Sequence, residues 1–184
     1  RPAPKAVAGD EITVAPGEPV GFDASASVAS DSPITRYLWT YGDGTVGQDP
    51  VARKVYEKAG RYQAVLRDSD NSNQPCNFGL ATRVVNVNFA PVAEAGTDVS
   101  TIVGQPVRLN GGASYDVDGS IVAHVWDLGD GTQMEGAEVS HAFDAAGVYR
   151  VALSVTDDSG VSNRTSTDHV TVRVNAPRVE RGRG

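Results

Sequence analysis

The chain is poor in several residue types, and each scarcity narrows the class of protein it can be. It has one cysteine, Cys76, so it cannot form an internal disulfide bond, and this count fits either redox compartment. Four phenylalanines and one methionine, against twenty glycines and ten prolines, indicate many turns and few helices. No apolar run approaches the ~18 residues that a membrane-spanning helix needs. The chain begins at Arg1 without a charged and apolar leader, from which we expect a mature or excised piece.

Basic residues are scarce relative to acidic ones. The chain holds 16 Lys and Arg against 23 Asp and Glu, a formal net charge of −7. Phosphate binding relies on clustered Lys and Arg, so this balance argues against a nucleic-acid partner. Catalytic motifs are missing too: no histidine pairs with a candidate nucleophile, and no serine stands in a G-x-S-x-G turn. We therefore expect a protein that is not an enzyme.

The 184 residues carry one pattern twice. Shifting the sequence by 87 positions aligns residues 4–87 with 91–174 without a gap, and the matches concentrate at Gly, Trp, Tyr and Asp. A domain of about 85 residues can bury a usable core. We predict two domains of the same fold, residues 4–88 and 89–175, followed by a disordered tail at 176–184.

Apolar and polar residues alternate in short runs, for example around Val170, Val172 and Val174. A period of two predicts half-buried strands, and Gly-, Asp- or Pro-containing turns divide them at short intervals. In each copy a β-prone run delivers a tryptophan, Trp39 or Trp126, and a Gly-Asp-Gly turn follows. Such a strand is typical of the centre of an immunoglobulin-type sandwich. The predicted fold is all-β, with two immunoglobulin-like β-sandwiches in tandem.

The motif at 126–132, Trp-Asp-Leu-Gly-Asp-Gly-Thr, closely resembles the signature of the PKD (polycystic kidney disease) domain. Flanking segments agree, with Asp-Val-Asp-Gly-Ser-Ile at 116–121 and Val-Thr-Asp-Asp-Ser-Gly at 155–160. The first copy matches more loosely, with Tyr41 at the position of Leu128. The resemblance implies about seven strands per copy. It also implies a secreted, periplasmic or cell-surface protein in which these modules act as spacers or contact protein or polysaccharide.

Six residues form the structural signature of the two copies: Trp39, Asp43, Tyr62, Trp126, Asp130 and Tyr149. An aspartate in a Gly-Asp-Gly turn serves the turn itself, because Asp hydrogen-bonds the backbone just ahead of it. The placement of the tyrosines is typical of the tyrosine corner of such sandwiches. A tryptophan in mid-strand is expected in the core, although an aromatic face could instead stack on a sugar.

An acidic cluster in the second copy is the best candidate for a binding site. Asp116 and Asp118 lie in the loop before the Trp126 strand, and Asp157 ends a later strand whose loop can meet the first. Three hard oxygen donors suit Ca²⁺, and some collagenase-type relatives bind calcium with acids at matching places. The alternative is that these aspartates only cap turns. Ala29 replaces Asp116 in the first copy, so we expect calcium in the second domain first.

A carbohydrate- or matrix-binding surface would need exposed aromatic side chains, and the candidates are Tyr41, Tyr115 and Phe78. Cys76, in the same segment as Phe78, either contacts a partner or is an inert turn residue. Asp68 falls on the inward face where the second copy has Val155, so we predict that its strand ends early or carries a bulge there.

These observations favour a non-catalytic spacer or interaction module of a larger extracellular protein, stiffened by calcium in its second domain. The alternative is a dedicated carbohydrate- or matrix-binding accessory domain of a secreted hydrolase. Under either hypothesis the partner would be a protein or a polysaccharide and not a nucleic acid. We expect no segment of this chain to cross a membrane.

Overall fold

The computed structural model describes residues 2–72, 74, 75 and 77–178. Cys76 and residues 179–184 of the predicted tail lie outside this part of the chain, and residues 176–178 follow the last strand without regular structure. The chain divides into two compact units, Arg1–Asn88 and Phe89–Gly184. Within the described ranges, the structure contains no helix with the length and hydropathy needed to cross a membrane.

The first unit folds into seven strands: β1 (Ile12–Val14), β2 (Pro19–Asp23), β3 (Ile34–Thr40), β4 (Val46–Gly47), β5 (Val51–Val55), β6 (Gly60–Asp70) and β7 (Phe78–Val87). The larger sheet has the order β1-β7-β6-β3-β4, and β2 pairs with β5 in the smaller one. All these pairs are antiparallel except β1 and β7, which run parallel, with Ile12 opposite Val85 and Val14 opposite Val87.

The second unit repeats this plan with β8 (Val99–Ile102), β9 (Pro106–Asn110), β10 (Ile121–Asp127), β11 (Gln133–Glu135), β12 (Glu138–Ala142), β13 (Gly147–Asp157) and β14 (Thr165–Asn175). The larger sheet has the order β11-β10-β13-β14-β8, and β12 pairs with β9. The first and last strands, β8 and β14, are again parallel. Seven strands in two facing sheets are the architecture of an immunoglobulin-like sandwich, so the predicted fold class is confirmed.

A tryptophan fills the centre of each unit. Trp39 and Trp126 are 0% exposed, and each contributes to its own cluster of apolar side chains. The indole nitrogen of Trp39 donates to the carbonyl of Asp49 at 3.2 Å, and that of Trp126 donates to the carbonyl of Gly136 at 3.0 Å. The two indoles therefore satisfy their one polar atom on the backbone and bury the rest.

The tyrosine predicted for a corner has the same role in both units. The Tyr62 hydroxyl donates to the Lys58 carbonyl at 2.8 Å, and the Tyr149 hydroxyl donates to the Ala145 carbonyl at 2.9 Å. Each hydroxyl thus holds the backbone four residues upstream, where the chain enters a long strand. This geometry is the tyrosine corner of immunoglobulin-like sandwiches.

The Gly-Asp-Gly turns are joined to the smaller sheet by their aspartates. Asp43 accepts hydrogen bonds from the Thr45 amide (3.0 Å) and hydroxyl (2.6 Å), and its other oxygen lies 2.7 Å from the Lys54 ammonium. In the second unit Asp130 accepts from the Thr132 amide and lies 2.7 Å from His141 Nε2. The aspartate therefore shapes its own turn and also binds the neighbouring strand, β5 or β12. Only the first of these roles was predicted from the sequence.

The prediction for Asp68 was wrong. The strand neither ends nor bulges there, because β6 continues to Asp70 in unbroken register with β7; the irregularity lies in β3, between Ile34 and Arg36. Asp68 is 0% exposed, and one of its oxygens accepts a hydrogen bond from the Gly79 amide at 3.1 Å. Its other oxygen is buried and has no hydrogen-bond partner within the described part of the chain. The strand thus tolerates an inward carboxylate at the cost of a buried polar atom that nothing satisfies.

The Asp43–Lys54 contact predicts a pH-dependent stability. Burial opposes the charge of Asp43, but hydrogen bonds from Lys54 and Thr45 outweigh it and lower the pKa of this carboxyl from 3.8 to about 2. Asp43→Asn should therefore cost the first unit about 2 kcal/mol of unfolding free energy at pH 7. A lowered pKa stabilises above the unfolded value, so the deficit should shrink below pH 4 and vanish near pH 2. Denaturant-dependent hydrogen exchange, read by mass spectrometry, measures each unit separately.

The control for Asp43→Asn is Glu57→Gln, which removes an acid of the same unit at an exposed position. It should leave the unfolding free energy within about 0.5 kcal/mol. A deficit for Asp43→Asn that stayed constant from pH 7 to pH 2 would show that the ion pair is not its source.

The unsatisfied oxygen of Asp68 predicts that one substitution will stabilise the protein. Asp68→Asn keeps an acceptor for the Gly79 amide while removing a buried charge, so at pH 7 it should raise the unfolding free energy of the first unit by about 1–3 kcal/mol. The reverse exchange, Val155→Asp, places a carboxylate in a fully buried position of the second unit and should cost about 3 kcal/mol or more. Hydrogen exchange measures both; a destabilising Asp68→Asn would contradict the explanation.

Candidate functional site

The acidic loop of the second unit, residues 116–120, joins the two sheets between β9 and β10. It is attached to the end of β13, since the Ser120 amide donates to Asp158 Oδ1 at 3.2 Å and the Asp158 amide donates to the Ser120 carbonyl at 3.1 Å. Asp118 Oδ2 accepts from the Phe89 amide at 3.3 Å. The loop therefore lies against both the end of β13 and the first residue of its unit.

Asp116 is the unusual member of this loop. Both of its carboxylate oxygens are buried, and neither has a hydrogen-bond partner of good geometry among the described residues, although the Asp118 amide is close enough to favour the charged form. Burial raises the pKa of Asp116, and the negative charges of Asp118 and Asp157 raise it further. Gly119 makes the crowding possible, because a Cβ there would lie 2.5 Å from an oxygen of Asp116 and 2.5 Å from one of Asp158. The loop thus places the Asp116 carboxylate where burial and two neighbouring negative charges both oppose its ionisation.

Asp157 has a structural role that the first unit shares. One of its oxygens accepts from the Ser159 amide at 2.8 Å and from the Ser159 hydroxyl at 2.5 Å. Asp70, its counterpart, makes the same two bonds to Ser72, at 2.8 and 2.5 Å. Because the first unit has Ala29 where the second has Asp116, these turn contacts do not depend on an acidic cluster. The turn explains Asp157 in part, but it does not explain Asp116.

Calcium would suit the chemistry of this loop. The two buried oxygens of Asp116 are hard donors, and a divalent cation would offset both the burial and the repulsion that raise the Asp116 pKa. Among the side chains that the structure describes, no three His, Cys, Asp or Glu residues converge as a ready-made metal site. A bound cation would therefore need backbone carbonyls or water as further ligands beside Asp116, Asp118 and Asp157.

Within neither unit do the predicted aromatic residues form an exposed surface. Tyr41 is 5% exposed, its ring stacks with Trp39 at 6.5 Å, and it meets Phe22 edge-on at 5.0 Å, so its prediction as an exposed ligand-binding residue was wrong. The strand ends at Thr40, but Tyr41 keeps the inward parity of Trp39, two residues before it. Its alignment with Leu128, which is 0% exposed, was the signal in the sequence.

The other two aromatic candidates lie in different units. Tyr115 is 52% exposed, next to Val117 at 66%, and its backbone bridges to Val92 in the second unit. Phe78 is half-buried in the first unit, where the Arg67 guanidinium lies 4.4 Å from the centre of its ring. Neither unit presents two of the three predicted aromatic side chains together as a binding face.

Two sandwiches with a buried indole, a tyrosine corner and a Gly-Asp-Gly turn place the chain among tandem immunoglobulin-like modules. A three-immunoglobulin-domain fragment of titin shares this architecture, with a TM-score of 0.59 over 99% of this chain and 69% of the fragment, at 11% identity. The model of the PKD domain family matches residues 1–87 and 88–172. The chain therefore belongs to the PKD domain family.

Curated relatives contain this region as a small part of much longer proteins. Collagenase ColA of Clostridium perfringens is 40% identical over 82 residues, which cover 45% of this chain and 7% of the collagenase. The pre-pro-metalloprotease PrtV of Vibrio cholerae is 36% identical over 136 residues, or 74% of this chain and 14% of the protease. The chain thus spans between 7% and 14% of the length of these two relatives.

Proposed function

We propose that the chain is a non-catalytic accessory module of a secreted or cell-surface protein, which spaces or docks its neighbouring domains, and that calcium stabilises its second unit. The accessory role is supported by the family and by relatives named as a collagenase and a metalloprotease, in which the matching region is a small fraction of the length. The partner of such a module is a protein or a polysaccharide of the matrix or cell surface.

The observation that carries the calcium proposal is the Asp116 carboxylate. A buried carboxylate without hydrogen-bond partners destabilises the fold unless a counter-charge is supplied. Asp116, Asp118 and Asp157 would hold the cation, which supplies that charge and ties the loop to the end of β13. The first unit lacks the equivalent of Asp116, so its stability should not depend on calcium.

Asp116→Asn tests the calcium proposal, because its effect on the unfolding free energy of the second unit should have opposite signs with chelator and with calcium. With chelator the substitution relieves repulsion and should stabilise the second unit by about 1 kcal/mol. With calcium it removes a ligand, so it should lose most of the stabilisation that binding adds, about 2.7 kcal/mol at a hundredfold excess over the Kd. Hydrogen exchange of the whole chain in calcium and in chelator reports the second unit.

The matched control is Asp31→Asn, at the position of the first unit that corresponds to Asp118. It should have the same effect in calcium and in chelator. An Asp116→Asn effect that is also independent of calcium would exclude the site. Cosedimentation of the whole chain with fibrillar collagen or chitin separates docking from spacing, because only a docking module is retained.

A further inference from the structure

The larger sheet of the first unit has an open edge along β3. Its neighbour β4 is two residues long and pairs only with Trp39 and Thr40. From Ile34 to Leu38, no strand in the described part of the chain lies on that side. An open edge presents backbone donors and acceptors to any extended chain that can lie beside it.

The backbone of Tyr37 faces this open edge. The Tyr41 amide donates to the Thr45 carbonyl at 3.0 Å across the turn that joins β3 to β4. Backbone groups of a strand alternate between its two neighbours, so Trp39 and Tyr37 direct their amide and carbonyl groups to the same side as Tyr41. The Tyr37 side chain packs on the core and fixes the strand in this orientation.

A cleft of about 730 Å³ lies over β3 and β6 and reaches the open edge at Gln48 and Pro50. Arg36 and Leu38 of β3, Arg67 of β6, and Gln48 and Pro50 from the segment before β5 contribute to its walls. Its volume falls within the range of established ligand sites. Stacking on the Phe78 ring holds the Arg67 guanidinium over the face of the sheet.

The charge of the cleft is opposite to that of the chain. Arg36 and Arg67 line it together with one acid, Asp70, whose Oδ1 is engaged by the amide and hydroxyl of Ser72. These three groups sum to +1, whereas the chain carries −7. Two arginines in an open cleft of an acidic protein favour a partner that carries carboxylates.

The second unit lacks these features at the same positions. Ala123 replaces Arg36, Ser154 replaces Arg67 and Glu135 replaces Gln48, so the only formal charge among these three positions is negative. The corresponding cleft measures about 310 Å³. There the edge is also occupied, because the Gly136 amide donates to the His124 carbonyl at 3.1 Å. Since the sandwich forms without an open, basic cleft, this feature of the first unit is not required for folding.

We infer that the β3 cleft binds an extended acidic segment of a partner protein, which adds to the open edge as a further strand. Backbone hydrogen bonds to Tyr37 supply affinity, carboxylates on one face of the added strand meet Arg36, and Arg67 on the next strand adds positive charge to the same cleft. A polysaccharide fits less well, because it has no peptide backbone to pair with the edge and Arg67 already stacks on the Phe78 ring. The β3 cleft is separate from the acidic loop of the second unit, and the inference does not depend on calcium.

The test uses a fluorescent decapeptide of alternating Glu and Val, with a Lys and Val decapeptide and a Glu and Val decapeptide N-methylated at every residue for comparison. Fluorescence anisotropy should show binding of the first peptide only, since the second has the wrong charge and the third lacks backbone donors. Amide chemical shifts of the isotope-labelled chain should change at Thr35–Leu38 and remain unchanged at Val122–Val125.

The variant Arg36→Ala/Arg67→Ser gives the first unit the residues of the second. Loss of two exposed ion pairs should weaken binding of the Glu and Val peptide about tenfold, less at high salt. Gln48→Glu should weaken it in the same direction. The matched control is Arg61→Ala, which removes an arginine from the same strand about 20 Å away, beyond the screening length, and should change binding less than about twofold.

Three outcomes would overturn the inference. The first is equal binding of the N-methylated peptide, since strand addition needs the peptide amides. The second is an equal effect of Arg61→Ala and of the double variant, which would indicate non-specific charge attraction. The third is binding of heparin at Arg36 and Arg67 with no binding of the Glu and Val peptide, which would make the partner an anionic polysaccharide.

Discussion

The structure depends on one buried indole in each unit. Trp39 and Trp126 are fully enclosed, and each donates its only polar hydrogen to a carbonyl ten residues further along, in the segment that leads to the smaller sheet. The ring thus fills the space between the sheets, and its hydrogen bond fixes where the chain crosses from one sheet to the other. The aspartate of the turn attaches the same region to the smaller sheet, and the tyrosine corner holds the connection that returns to the larger sheet. With the interior held this way, the loops and outer faces are free to diverge.

The two units show where that divergence has occurred. Their strands, corners and turns correspond position by position, but a carboxylate stands at Asp116 in one unit and an alanine at the same place in the other. Likewise arginines line the β3 cleft in one unit, and small residues occupy those positions in its copy. An internal repeat serves as its own control, because a feature present in only one copy is not required by the shared fold. The acidic loop and the β3 cleft are two such features.

The sequence predicted the fold because the residues that determine it act locally. Three local patterns indicated the fold: alternating apolar positions, a tryptophan before a glycine turn and a tyrosine after one. Each pattern is typical of a strand or corner of this sandwich, and each occurs in both copies of the repeat. The errors at Tyr41 and Asp68 arose where the alternation was not followed. Tyr41 keeps the inward parity of Trp39 although β3 ends at Thr40, and Asp68 stays inward, where the Gly79 amide donates to it, although its side chain is a carboxylate. Local sequence patterns could not predict contacts between distant segments, such as the contact of Asp43 with Lys54.

The parallel pairing of β1 with β7, and of β8 with β14, has a mechanical consequence. In each unit the strands that come first and last along the chain lie side by side in the larger sheet and run in the same direction. The chain therefore enters at one end of this pair and leaves at the other. A pull on both termini slides these strands past one another along their length. Their hydrogen bonds then bear the load together in shear, whereas an antiparallel pair pulled from one end would open like a zipper. Each sandwich therefore contains a parallel strand pair whose hydrogen bonds resist tension applied along the strands.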